Sequence, residues 1–148
     1  MRFTVILVDS LFFIPAVVLL ISFFENSMNV KSHSLNTFFL FIMIIKPDIL
    51  LIDHGHFQYN TLVVGLIIYS IYFMLTDQTY LCCILFTIAI NCKQMATYYC
   101  LAFPCALIGI AMQKHRHNKK KILLKIVAYA TIVVCTTLIM WIPWLGNM

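Results

Sequence analysis

Charged residues are scarce in this 148-residue sequence, because five acidic and ten basic side chains make up only 10% of it. Soluble domains carry about 25%, so the deficit excludes a soluble globular domain. Hydrophobic residues reach 63%, which excludes a disordered chain. The six cysteines lie mostly inside apolar runs without a framework spacing, so a disulfide scaffold is not indicated. The composition predicts an all-α polytopic membrane protein.

Several chemical motifs are also missing. The sequence has no nucleotide-binding loop, no glycine-rich phosphate cradle and no hydrolase elbow, so nothing indicates the use of ATP or a dinucleotide. It has no Asn-x-Ser/Thr acceptor, so no glycosylation site marks one side of the membrane. The function must therefore be read from the few polar residues that interrupt the apolar runs.

Apolar segments long enough to be membrane helices recur along the chain. A spanning helix needs about 20 residues to cross roughly 30 Å of hydrocarbon. Asp9 and Pro15 interrupt the first candidate segment, and the fourth, with twelve residues, is either a short crossing or a re-entrant leg. The sequence predicts five to six transmembrane or re-entrant helices from six segments: 3–24, 35–52, 59–76, 79–90, 95–112 and 121–144.

The densest run of basic residues is the loop 113–121, which the positive-inside rule predicts to be cytoplasmic. The turn at 76–77 then lies on the same side, while loops 46–60 and 91–94 and the C-terminal Trp-Leu-Gly lie in the opposite compartment. Seven of the ten Lys and Arg residues are cytoplasmic in this topology. Contact of the basic loop with anionic lipid or nucleic acid is the alternative. An orientation signal is the commoner role of such runs, and we predict no nucleic-acid partner.

A polar island at 52–60 separates the second and third segments. It carries one carboxylate, two imidazoles, two amides and a phenol, from Asp53, His54, His56, Gln58, Asn60 and Tyr59. Polar side chains at a membrane boundary are costly unless they line water, protein or a site. Helix capping is the alternative interpretation, but a cap uses only one or two polar residues. The cluster as a whole therefore favours a binding site.

The residue types of the island suit a sugar or phosphate better than a metal. Asp53, His54 and His56 lack a cysteine partner and helical spacing, so we predict no metal site and no cofactor. Sugar hydroxyls call for carboxylates and amides, and a phosphate calls for cations. A second polar break at 91–94 lies on the same predicted side and supplies Lys93 and Gln94. Lys93 is the natural phosphate partner, and its alternative role is snorkelling to the interface.

The stretch Leu51-Ile52-Asp53-His54-Gly55-His56-Phe57-Gln58-Tyr59-Asn60 resembles the signature of the endoplasmic-reticulum glucosyltransferases that use dolichyl phosphate glucose. Further stretches reinforce the resemblance in the same order along nearly the whole chain. They are 2–5, 14–18, 89–95 (Ala-Ile-Asn-Cys-Lys-Gln-Met) and the final Trp141-Ile142-Pro143.

The resemblance implies a multi-span fold of the GT-C type and a metal-independent, inverting glucose transfer in the lumen of the endoplasmic reticulum. The expected substrates are dolichyl phosphate glucose and the mannose-rich dolichol-linked oligosaccharide of N-glycosylation, to which the glucose is added through an α-1,3 linkage. Gly55 and the Asn-x-Lys-Gln-Met run resemble the enzyme that adds the first glucose; the sister enzyme that adds the second is the alternative. By the same resemblance, Lys93, His54 and His56 are expected to contact phosphate or sugar. Gln58 and Asn60 are expected to recognise hydroxyls, and Asp53 is expected to serve as an orienting carboxylate.

The sequence also departs from this family. Lys46-Pro47-Asp48 and Ala96-Thr97 differ from the expected residues around the two polar stretches. The general-base carboxylate is expected in a large lumenal loop upstream of every segment here, so the catalytic residue is unknown and the chain is expected to be an internal fragment. An inactive membrane fragment, a lipid-oligosaccharide binder or a piece of a transporter remains the alternative. Trp141 and Trp144 fit an interfacial aromatic belt.

Overall fold

The computed structural model describes residues 2–28, 37–38, 41–42, 60–116 and 118–145. The chain divides into two compact units, Met1–Tyr72 and Phe73–Met148, and each is described by itself. The described residues are helical apart from short turns and single extended residues. Their elements are α1 (Arg2–Val8), a π-helical turn (Asp9–Phe13), α2 (Ile14–Met28), α3 (Asn60–Leu75), α4 (Thr79–Cys92), a 3₁₀-helix (Gln94–Tyr99), α5 (Ala102–Lys114) and α6 (Lys119–Leu145).

In the first unit, α1, the π-helical turn and α2 follow one another without a gap. The N–H of Ile14 donates to the carbonyl of Asp9, five residues back, as in a π-helix. Pro15 comes next, and a proline ring would clash with the carbonyl four residues before it. The wider π turn relieves that clash. The interruption predicted at Asp9 and Pro15 is therefore a local widening of a continuous helix.

Helix α3 packs against this π turn through Gly65. A Cβ atom at Gly65 would lie 3.4 Å from the backbone carbon and oxygen of Phe12 and from the Cα of Phe13. The residues around this contact, Phe13, Val63 and Leu66, are buried. Because glycine has no side chain, the two backbones approach closely, which is the usual way that membrane helices gain packing contacts.

In the second unit, α4 and α6 are parallel. The hydroxyl of Tyr129 donates to Thr79 Oγ1 at 2.9 Å, and the indole of Trp141 donates to Asn91 Oδ1 at 3.1 Å. The two bonds are separated by twelve residues on each helix, so the helices run in the same direction and stay in register. Two side-chain hydrogen bonds, one near each end of α4, thus join it to α6.

Helix α5 runs antiparallel to both neighbours. The ammonium of Lys114, at its last residue, lies 3.0 Å from the carboxylate of Asp77, just before α4 begins. Near the start of α5, the ring of Phe103 stacks on Phe86 with a centroid distance of 3.9 Å. The ion pair brings the residues around 77 and 114 to one end of this unit, while their predicted location on one side of the membrane stays a prediction. Which face of the membrane that end meets stays a prediction.

The predicted fourth segment, 79–90, is helical and continues to Cys92. Its 14 residues make roughly 21 Å of helix. Helix α4 lies beside residues 129–141 of α6, with Thr79 bonded to Tyr129 and Asn91 bonded to Trp141, so it pairs with about half of that longer helix. The short crossing and the re-entrant leg both stay predictions for this segment.

The predicted fifth segment, 95–112, is not one helix. The chain forms a 3₁₀-helix over Gln94–Tyr99, turns, and enters α5 at Ala102. Pro104 is the third residue of α5, where the N–H that proline lacks would have no partner within the helix. If the α-helix continued upstream, that N–H would be needed for a hydrogen bond within the helix. The hydroxyl of Thr97 also bonds to the carbonyl of Gln94, which stabilises the tighter turn.

Two of the described helical stretches, Ile6–Ser27 and Lys119–Pro143, are long and apolar enough to cross a membrane. Only 17% and 6% of their apolar windows are buried inside the protein, unlike the core helix of a soluble domain. The other apolar helices, α3 to α5, are shorter. The predicted all-α class is confirmed for the described residues.

Candidate functional site

The structure describes three of the seven predicted site residues. Asn60 is the first residue of α3 and is half-buried in the first unit. Lys93 and Gln94 adjoin each other in the second unit, at the junction between α4 and the 3₁₀-helix. The remaining four, Asp53, His54, His56 and Gln58, lie outside the described residues, and their roles stay predictions.

Lys93 occupies a single extended residue between two helices. Its backbone dihedral angles are −157° and 144°, so α4 ends there. Its N–H still donates to the carbonyl of Ala89 at 3.2 Å, and its own carbonyl accepts from the N–H of Ala96 at 3.3 Å. Ala96 is fully buried and anchors the following turn. The backbone on both sides of Lys93 is therefore fixed, although the residue itself has left the helix.

Asn91 ties this break to α6. Its amide nitrogen donates to the carbonyl of Thr87 at 2.8 Å, one turn back in α4. Its amide oxygen accepts the hydrogen bond from Trp141. Both ends of the amide are thus used, and its orientation is determined by the bonds it makes. The last turn of α4, from which Lys93 departs, is held against the end of α6.

An open cleft lies at the break and is lined by residues 92–95 with Thr97 and Tyr98. Lys93 is half-buried in it and Gln94 is exposed, so the cleft presents one ammonium and one amide. An ammonium at the end of α4 is also favoured by the partial negative charge of a helix C-terminus. The combination suits a phosphate oxygen beside a sugar hydroxyl.

Within the described ranges, no three His, Cys, Asp or Glu side chains gather closely enough to hold a metal ion. The histidine pair of the polar island lies outside those ranges, so the expectation of no metal site stays a prediction.

Two residues at this site were not among the sequence-predicted ones. Trp141, expected in an aromatic belt, bonds Asn91. The sequence signal for this contact was that residues 91–94 and the C-terminal end were predicted to lie on the same side. Tyr98 lines the cleft with 89% of its surface exposed, and its proximity to Lys93 in sequence was the signal for it. An exposed aromatic face beside a cation can pack on a pyranose ring.

Comparison with known proteins places the whole chain among glycosyltransferases. A "Dolichyl pyrophosphate Man9GlcNAc2 alpha-1,3-glucosyltransferase" from Gallus gallus is 37% identical over 145 residues, covering 97% of this chain and 27% of that protein. The Saccharomyces cerevisiae protein of the same name is 32% identical over 147 residues, covering 99% and 26%. An Arabidopsis thaliana protein described as a probable enzyme of that name is 30% identical over 148 residues, covering 100% and 27%.

The chain thus spans about a quarter of the length of these curated relatives. No solved structure matches it. The sequence matches the family described as "ALG6, ALG8 glycosyltransferase family" over residues 1–148, that is, over its full length. This full-length match, together with the relatives above, shows that the chain belongs to the ALG6, ALG8 glycosyltransferase family.

Proposed function

We propose that this chain forms part of an α-1,3-glucosyltransferase of the endoplasmic-reticulum membrane. The enzyme takes glucose from dolichyl phosphate glucose and adds it to the dolichol-linked oligosaccharide used in N-glycosylation. The observation that carries the proposal is the similarity over the full chain to relatives named as dolichyl pyrophosphate Man9GlcNAc2 alpha-1,3-glucosyltransferases. Helices apolar enough to cross a membrane suit an enzyme with two lipid-linked substrates.

The acceptor is the oligosaccharide that does not yet carry glucose. The relatives' names specify Man9GlcNAc2, which contains mannose and N-acetylglucosamine only. This supports addition of the first glucose over the second, in agreement with Gly55 and with the Asn-x-Lys-Gln-Met run at 91–95.

The transfer needs one base and one source of positive charge. A carboxylate removes the proton from the 3-hydroxyl of the acceptor mannose, and the oxygen attacks the anomeric carbon of glucose from the face opposite the phosphate. The bond between that carbon and the phosphate oxygen breaks, and dolichyl phosphate leaves with the electron pair. Without a metal, protein cations must stabilise the departing phosphate. The base is expected outside this chain.

Lys93 is the described cation best placed for that task. Its backbone is fixed on both sides, and its side chain is half-buried in an open cleft instead of extending freely into solvent. Gln94 and Tyr98 border the same cleft and can contact the sugar. In this proposal the cleft faces the lumen. Asp53, His54, His56, Gln58 and Asn60 keep the substrate-binding roles that the family resemblance implies.

A chimeric enzyme tests the proposal. This chain replaces the matching stretch of the S. cerevisiae relative, and the chimera is expressed in cells that lack the native enzyme. We expect dolichol-linked oligosaccharide with one added glucose, detected by mass spectrometry. A chimera that reaches the endoplasmic reticulum at the normal level but leaves the oligosaccharide unglucosylated would contradict the proposed function.

Lys93 is tested in the same chimera. We expect Lys93→Ala to lower glucosylation about 100-fold, because a donor to a developing charge is typically worth that much. Lys93→Arg should restore part of the activity. Lys114→Ala is the matched control, since Lys114 is also at a helix end but lies at the opposite end of α4. If Lys93→Ala keeps the same activity as Lys114→Ala, Lys93 does not stabilise the phosphate and only snorkels to the interface.

A further inference from the structure

The turn between α5 and α6 concentrates positive charge that the proposed reaction does not use. We call residues 113–125 the basic hairpin; it carries six cations: Lys114, Arg116, Lys119, Lys120, Lys121 and Lys125. Asp77 is the only acidic residue anywhere in the sequence 73–148, and it is bonded to Lys114. Among the described residues of this unit, the other five cations thus share a single carboxylate that is already paired with Lys114.

Three of these cations stand where a helix disfavours them. Lys119, Lys120 and Lys121 are the first three residues of α6 and are exposed. A helix N-terminus carries partial positive charge, so adjacent ammonium groups there are repelled by the helix and by one another. Folding brings these charges together although nothing within the unit neutralises them. An external anion would remove the repulsion.

A small recess of about 20 Å³ lies near the basic hairpin. Lys114, His115, Lys125 and Tyr129 line it, together with Asp77 and Thr79. The ammonium of Lys125 is held 4.4 Å above the ring of Tyr80, which directs it to this end of α6. The recess admits a group the size of a single oxygen atom. The recess already holds the Asp77 carboxylate paired with Lys114, so the exposed lysine run, and not the recess, is the part of the hairpin open to an external anion.

Apolar side chains follow the cations directly. Leu123 and Leu124 are 64% and 74% exposed, and α6 is apolar enough to span a membrane from Lys119 to Pro143. The lysine run therefore lies at the level of the lipid headgroups, and the leucines lie at the level of the acyl chains. A nucleic acid would neutralise the lysine charges, but it offers no apolar chain to cover the exposed leucines.

We propose that the basic hairpin binds the headgroup of an anionic phospholipid in the adjoining leaflet. Lys119, Lys120 and Lys121 contact the headgroup phosphate, and the acyl chains lie on Leu123 and Leu124. The binding is separate from the glucosyl transfer, because it takes place at the end of α4 opposite Lys93.

The test uses the chain in lipid nanodiscs made of phosphatidylcholine alone or with added phosphatidylinositol. Native mass spectrometry counts the phosphatidylinositol that stays bound, and its affinity is measured by titration. The variant replaces Lys119, Lys120 and Lys121 with Gln, a residue of similar helix propensity. A matched variant replaces the same three with Arg, which keeps the charge.

We expect the wild type to retain phosphatidylinositol and the triple Gln variant to bind it about 100-fold more weakly, from roughly fivefold for each lysine removed. The triple Arg variant should bind it like the wild type. Equal retention by the wild type and the triple Gln variant would overturn the proposal. So would tighter binding of an RNA oligonucleotide, or displacement of the lipid by inorganic phosphate alone at equal concentration. Glucosylation by the chimera is read separately, so either proposal can fail without the other.

Discussion

The indole nitrogen of Trp141 donates a 3.1 Å hydrogen bond to the side-chain oxygen of Asn91, two residues before the extended Lys93. This bond joins the end of α6 to the last turn of α4. The amide of Asn91 is already oriented by its bond to the Thr87 carbonyl. The position of the break that carries Lys93 therefore depends on a residue 48 positions further along the chain.

Trp141→Phe removes the indole donor and keeps an aromatic ring. We expect the free energy of unfolding to fall by about 0.6 kcal/mol, the average for interhelical hydrogen bonds in membrane proteins. Thermal unfolding in detergent measures it. In the chimeric enzyme the same change should lower glucosylation, because the turn before Lys93 loses its tie to α6. Thr137→Val is the control, since its hydroxyl bonds only to the Val133 carbonyl of its own helix.

The Tyr129 to Thr79 hydrogen bond should couple the other ends of the same two helices. Tyr129→Phe and Thr79→Val each remove it. The loss of stability in the double variant should therefore be about 0.6 kcal/mol smaller than the sum of the losses in the two single variants. Thermal unfolding of all four proteins gives this coupling energy. Thr131→Val paired with Thr79→Val should be additive, because Thr131 bonds only to the Val127 carbonyl. Additivity of Tyr129→Phe with Thr79→Val would show that the two residues act independently.

Two glycines offer a comparison of packing. Gly65→Leu should destabilise the first unit by about 1–3 kcal/mol, because its side chain must displace the backbone of Phe12 and Phe13. Gly109→Leu is the matched control, because a Cβ atom there meets nothing within 4 Å. Thermal midpoints in detergent compare the two variants. A loss of stability at Gly109 equal to that at Gly65 would argue against the close approach of α3 to the π turn.

Asp77 combines an ion pair with an unfavourable backbone conformation. Its φ of 66° favours glycine, while its ion pair with Lys114 is exposed, with 66% of the Asp77 side chain accessible. Exposed pairs contribute roughly 0–1 kcal/mol, and a left-handed alanine costs about 1–2 kcal/mol. We therefore expect Asp77→Ala to be destabilised and Asp77→Gly to be at least as stable as the wild type. Thermal unfolding checks this order; a wild type that is more stable than Asp77→Gly would mean that the ion pair outweighs the backbone.

Much of the helical pattern followed from the sequence. An apolar run that is long enough must bury its backbone polar groups in a helix within lipid, and for this reason segments 3–24, 79–90 and 121–144 were recognisable. The prediction of a single helix over 95–112 was wrong. Hydropathy does not register that Pro104 fits the first turn of a helix but not its interior. The π turn before Pro15 was likewise hidden, since a composition average cannot separate a widened helix from a broken one.

The candidate site divides in the same way. Lys93 and Gln94 were recognisable because polar residues between apolar runs need a reason to be there. The carboxylate and imidazoles of the polar island stay predictions, since they lie outside the described residues. The sequence predicted that the C-terminal end lies on the same side as residues 91–94, but aromatic residues near the end of a span are common. Only the parallel register of α4 and α6 brings Trp141 to Asn91.

The sequence by itself determined the class of protein, the sites of the polar breaks and the family resemblance, because these depend on local composition and on short runs of residues. Only the tertiary structure decided that α4 and α6 run parallel, that Asp77 and Lys114 meet, and that Asn91 holds the turn beside Lys93. Those relationships join residues 37 and 50 positions apart. They follow from which helix faces pack together, and no local pattern specifies that.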